Sequence, residues 1–121
     1  MFKNEENEEK QQFIVGKQNM SSDDYDALYF LQRSSSGTFK IPKYIRQIRP
    51  CCFTGSSIET VIFPKEVEII DMFAFFNCNK LNKIEFSPDS NLKIIGSYAF
   101  HSDEESKFES ISIPSNVRKI C

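Results

Sequence analysis

Three apolar templates recur along residues 39–121, in the same order each time, and no other feature narrows the possible folds of this chain as much. The first is apolar-x-x-apolar-x-apolar. It fits Ile58, Val61 and Phe63, then Leu81, Ile84 and Phe86, then Phe108, Ile111 and Ile113, and Phe39 and Ile41 supply the end of an earlier copy. The second is apolar-x-x-Ile, at Ile45/Ile48, Val67/Ile70, Leu92/Ile95 and Val117/Ile120. The third places a small residue and a phenylalanine just after that isoleucine, at Cys52/Phe53, Ala74/Phe75 and Ala99/Phe100.

Ile48, Ile70, Ile95 and Ile120 set a period of 22 to 25 residues. One short strand per unit at this period is the range of leucine-rich repeats. Alternation at Val61 and Phe63 puts both side chains on one face of a strand. A single strand cannot bury that face alone, but stacked turns lay like columns on one another and build a continuous core. Pro42, Pro64 and Pro114 directly follow the last apolar residue of the first template, and Pro88 follows Phe86 by two. Proline cannot donate a ladder hydrogen bond, so it ends each strand at a fixed point. The predicted fold is α/β: a short leucine-rich-repeat solenoid with a parallel β-sheet on its concave face, loops or short 3-10 turns on its convex face, and a short N-terminal helical cap. Strands are expected near 38–41, 60–63, 83–86 and 110–113.

The segment before the repeats divides in two. Residues 1–12 are acidic and of low complexity, which predicts a disordered tail. Residues 13–38 form a cap segment. Within it, cap-type Ser22 and acidic Asp23 and Asp24 precede Tyr25, Leu28 and Tyr29 at i, i+3, i+4, the pattern of a short amphipathic helix. The repeats then occupy 39–121 as about three units and a shortened fourth.

Composition excludes several classes of function. Fifteen basic and 17 acidic side chains leave a formal net charge of −2 with the signs interspersed, which makes no field to steer a nucleic acid. No apolar run approaches the roughly 20 residues of a transmembrane helix. The N-terminus lacks the basic-then-apolar order of a secretory signal, so the chain by itself is expected in the cytosol. The four cysteines, Cys51, Cys52, Cys78 and Cys121, form no CxxC pair and read as free thiols. Cys52 reads as a small core residue in an alanine column.

No catalytic, cofactor or metal constellation stands out. His101, the one histidine, is read as a solvated loop residue without the nucleophile and orienting group that catalysis needs. Adjacent Cys51 and Cys52 lack zinc-ligand spacing, and Asp103, Glu104 and Glu105 read as a solvated acidic loop. The open strand face remains. Lys40, Ile62, Glu85 and Ser112 form one outward column, and Thr38, Thr60, Lys83 and Ser110 form its neighbour. Varied side chains on a rigid frame suit protein recognition. The candidate partner-binding residues are therefore Lys40, Thr60, Ile62, Lys83, Glu85, Ser110 and Ser112.

With these residues in view, IETVIFPKEVEIIDMFAFFNCNKL and LKIIGSYAF resemble the repeat unit of the BspA-like, or treponemal-type, leucine-rich repeats, across about residues 36–121. Cys78 falls on that family's cysteine column and Gly96 on its glycine position, whereas Arg49 and Asp71 depart from that glycine. The preceding DDYDALYFLQR, running into TFKIPKYI, is similar to the leading region of protozoan members. The resemblance implies a surface antigen or adhesin that binds host or matrix proteins; the alternative is an intracellular scaffold using the same face. A protein partner is expected, with self-association through the last turn, where Ile111, Ile113, Val117 and Ile120 lack a following repeat.

Overall fold

The computed structural model describes residues 2–8, 10–19, 24–32, 36–101, 114–115, 117 and 119–120. Among the described residues ten strands form two sheets: β1 (Lys3–Glu6), β2 (Gln12–Gly16), β3 (Ala27–Leu31), β4 (Ser36–Lys40), β5 (Gln47–Ile48), β6 (Ser57–Phe63), β7 (Ile69–Ile70), β8 (Lys83–Phe86), β9 (Ile94–Ile95) and β10 (Lys119–Ile120). The longer repeat strands pair in parallel as β4-β6-β8. They coincide with three of the four strands expected from the first template; the fourth, at 110–113, lies outside the described residues. The other sheet runs β1-β2-β3-β5-β7-β9-β10, antiparallel from β1 to β3 and parallel from β3 onward.

Each turn of the solenoid thus adds one strand to each sheet and then a tight turn that forms a third wall. The three templates line these walls from inside. Phe39, Val61 and Ile84 point inward from β4-β6-β8, Ile48, Ile70 and Ile95 from the second sheet, and Cys52, Ala74 and Ala99 from the turns, all buried. The turn wall is closed by backbone hydrogen bonds between successive turns, with the amides of Phe53 and Phe75 donating to the carbonyls of Ala74 and Ala99 at 2.7 Å each. Backbones this close leave space for little more than a methyl or thiol, which is why the column holds Cys, Ala and Ala.

Gly96 answers to a similar closeness. A Cβ there would lie 2.6 Å from the Met72 backbone nitrogen and 2.8 Å from the Asp71 carbonyl carbon. Arg49 and Asp71 occupy the same repeat position, and their amides make the same bonds to the turn before, to Leu28 O and Ile48 O at 2.9 Å. The departures from glycine at those two positions therefore leave the ladder intact.

The structure corrects the sequence reading at three places. No helix occurs among the described residues, and the expected cap helix is strand β3. Tyr25, Leu28 and Tyr29 do have helical spacing, but Leu28 pairs with Ile48 in the parallel ladder, and Ala27, Leu28 and Leu31 are all buried there. So short a helix is unstable alone, whereas a strand of aromatic and aliphatic residues gains ladder partners on both sides. The α/β class accordingly gives way to an all-β arrangement among the described residues. Secondly, the turns expected on the convex face are present at 50–55, 72–77 and 97–100, but beside them lies a second parallel sheet that was not expected, built of the two-residue strands β5, β7 and β9. Their length is below what periodicity can reveal. Thirdly, Lys3–Glu6, within the expected disordered tail, form β1 on the edge of β2. An edge strand of charged residues needs no apolar face of its own; β2 supplies Phe13 and Val15 to the core instead. Phe13 meets Phe39 edge-to-face at 5.6 Å, so β1, β2 and β3 cover the N-terminal end of the stack.

Candidate binding surface

Strand β6 shows how the open face arises. Ile58, Val61 and Phe63 are buried, which turns Thr60 and Ile62 outward. The parallel register then aligns neighbours. Thr38 lies beside Thr60 and Thr60 beside Lys83; Lys40 lies beside Ile62 and Ile62 beside Glu85. These are the two outward columns expected from sequence. Lys40 and Lys83 are exposed, and Thr60, Ile62 and Glu85 are half-buried among their neighbours. Ser110 and Ser112, the next members, lie outside the described residues.

The two columns are linked by an ion pair, Lys83 Nζ to Glu85 Oε1 at 3.0 Å, with both side chains about half exposed. Beside it, a groove of about 690 Å³ extends from Ile62 past Phe86 to Pro88 and Pro114. The groove has no signal in the sequence, because it depends on Pro114 lining the same cavity as Ile62, Phe86 and Pro88. The surface is therefore an apolar residue, Ile62, flanked by lysines, a carboxylate and a threonine on a rigid parallel ladder.

The other candidate groups are placed as follows. Among the described residues no three His, Cys, Asp or Glu side chains converge as metal ligands. Exposed His101 has its ring stacked on Phe76 at 5.5 Å. Cys51, Cys52 and Cys78 are free of disulfides. Cys51 is exposed on the turn wall. The Cys78 thiol donates to Phe53 O at 2.9 Å, and burial pushes it up to about 11. Burial, reinforced by Cys78, holds the Cys52 thiol well above the ordinary thiol range. Neither buried thiol is a nucleophile near neutral pH, since the thiolate is the reactive form. Asp103, Glu104 and Glu105 lie outside the described residues, as does Cys121. No helix among the described residues is long and apolar enough to cross a membrane.

The sequence model of the BspA type leucine rich repeat region, with six copies, matches residues 27–121. In three dimensions the chain is similar to a leucine-rich repeat protein from Bacteroides capillosus, with a TM-score of 0.70, 22% identity, and coverage of 92% of this chain and 83% of that one. It is also similar to the leucine-rich repeat protein of T. pallidum, with a TM-score of 0.60, 20% identity, and coverage of 89% of this chain and 61% of that one. This chain thus spans about three-fifths of the T. pallidum protein, and both likenesses are likenesses of fold. No curated protein matches the chain.

Proposed function

This chain belongs to the BspA-type leucine-rich repeat family, and we propose that it is a non-catalytic protein-binding module whose partner lies across the β4-β6-β8 face. The observation that carries this reading is the register-aligned pair of columns, Thr38-Thr60-Lys83 and Lys40-Ile62-Glu85. A partly buried apolar residue ringed by polar and charged ones is the anatomy of a protein interface, in which a central anchor supplies most of the energy and the rim excludes water. A stacked array holds those side chains on strands and not on loops, so little ordering entropy is lost on binding. In its more specific form, the reading is a surface antigen or adhesin that engages host or matrix proteins, as the resemblance to BspA-like repeats implies.

The test is binding of the purified chain to a panel of immobilised matrix and host-surface proteins, native against Ile62→Glu and Lys40→Glu. Both substitutions keep the buried columns, so the melting temperature serves as the folding control. Loss of a saturable signal in Ile62→Glu supports the face. Equal binding by all three proteins places the site elsewhere. Staining of intact cells against permeabilised ones separates a surface antigen from an intracellular scaffold.

A further inference from the structure

Four rings tile the outside of the turn wall. Phe73 stacks on Tyr98 at 5.5 Å and Phe76 on His101 at 5.5 Å. Edge-to-face contacts of 5.3 Å between Phe73 and Phe76 and of 5.5 Å between Tyr98 and His101 close the square. Tyr98 is 59% exposed, and Met72, next to Phe73, is 47% exposed. Neither belongs to the buried core.

The backbone beneath does not require these rings. Cys51, Phe73 and Tyr98 hold the same position in successive turns, at φ 62°, 56° and 55°. That left-handed conformation disfavours bulky side chains and suits glycine or asparagine. Cys51 shows that a small residue serves there. Two aromatic rings at a position that disfavours them, facing outward, call for a role beyond the turn.

The electrostatics indicate what such a surface takes. Ring faces carry negative quadrupole density and attract cations. The chain covers two other tyrosines in this way. Lys3 and Lys17 lie over Tyr25 at 4.1 and 5.4 Å, and Arg49 lies over Tyr29 at 4.9 Å. Among the described residues no lysine or arginine lies over Phe73, Phe76 or Tyr98. A charge of the complementary sign stands close by in sequence. Asp71, two residues before Phe73, is held by the Met72 amide and by Gln47 Nε2, each at 2.9 Å.

We propose that this four-ring surface is a second docking site, separate from the β4-β6-β8 face, that takes an arginine- or lysine-bearing segment of a protein partner, with the cation seated over Tyr98. The probe is an acetylated eight-residue peptide of alternating glycine and arginine, with counterparts carrying lysine or the neutral isostere citrulline. Each is titrated into the full chain while the aromatic NMR signals are followed. The arginine peptide is expected to shift the Tyr98 and Phe73 signals, and the citrulline peptide to bind at least about fivefold more weakly. Tyr98→Leu, at an exposed position, is expected to weaken binding about three- to tenfold, with Phe73→Leu as a second variant and Ile62→Glu unchanged. Four outcomes would each overturn the proposal: no shift at any concentration; equal binding of the citrulline peptide; native affinity in both ring variants when they melt as folded proteins; or peptide-free, dilution-dependent shifts that Tyr98→Leu abolishes, which would make a second copy of the chain the occupant.

Discussion

Phe53 and Phe75 stack across successive turns of the solenoid, with ring centroids 4.4 Å apart and planes within 8° of parallel. Phe75 carries the stack on to Phe100 at 5.2 Å. The three rings hold equivalent repeat positions, yet Phe75 is buried and Phe100 is only partly so.

That difference separates two substitutions that column position alone would treat as equal. Phe75→Ala opens a cavity between two stacked rings and is expected to cost about 3–5 kcal/mol. Phe100→Ala removes a ring that keeps part of its surface in water, and is expected to cost about 1–2 kcal/mol. Denaturant melts of the two variants decide the matter; equal losses would contradict the burial gradient along the column.

The buried thiols make stability depend on alkaline pH. A thiol in the unfolded chain titrates near 8.5, and Cys78 in the folded chain is pushed up to about 11. Between those values the unfolded chain gives up a proton that the folded chain keeps, so stability falls as pH rises through this window and levels off above it. One such thiol contributes a slope of about 1.4 kcal/mol per pH unit. Cys78→Ala is expected to remove that share of the slope in melts from pH 8 to 11. A slope unaltered by the substitution would mean that the thiol is not shielded.

The same burial predicts selective chemistry. Under native conditions near pH 8, iodoacetamide is expected to modify exposed Cys51 while Cys52 and Cys78 stay unmodified until the protein is denatured. Peptide mapping by mass spectrometry reads each site separately. Modification of Cys52 as fast as Cys51 would refute its place in the alanine column.

Gly96→Ala is a small change with a large expected effect. The new methyl group would meet backbone atoms of Asp71 and Met72, which cannot rotate away as a side chain could. A loss of about 1–3 kcal/mol is expected. Asp71→Ala, at the same position one turn earlier, adds no such clash and serves as the comparison in thermal melts.

On the open face, Lys83→Ala breaks the pair with Glu85, but both groups are half exposed. Such a pair contributes about 0–1 kcal/mol, so the melting temperature is expected to move little. A variant that unfolds readily would show that the pair braces the sheet.

The chain's periodicity determined the stacking. Because strand side chains alternate and every turn must bury its own face on the next, the positions of Val61, Phe63, Ile70, Ala74 and their equivalents were legible, and with them the outward columns at Thr60 and Ile62. Three things were not legible, each for a reason of tertiary contact. Ala27–Leu31 satisfies a helical spacing and a strand alike; the ladder offered by Ile48 decided for the strand. Gln47–Ile48, Ile69–Ile70 and Ile94–Ile95 are too short for any period, and exist as strands only because parallel copies lie beside them. The outward tile of Phe73, Phe76, Tyr98 and His101 joins residues from two turns whose left-handed corners only the stacked backbone could impose.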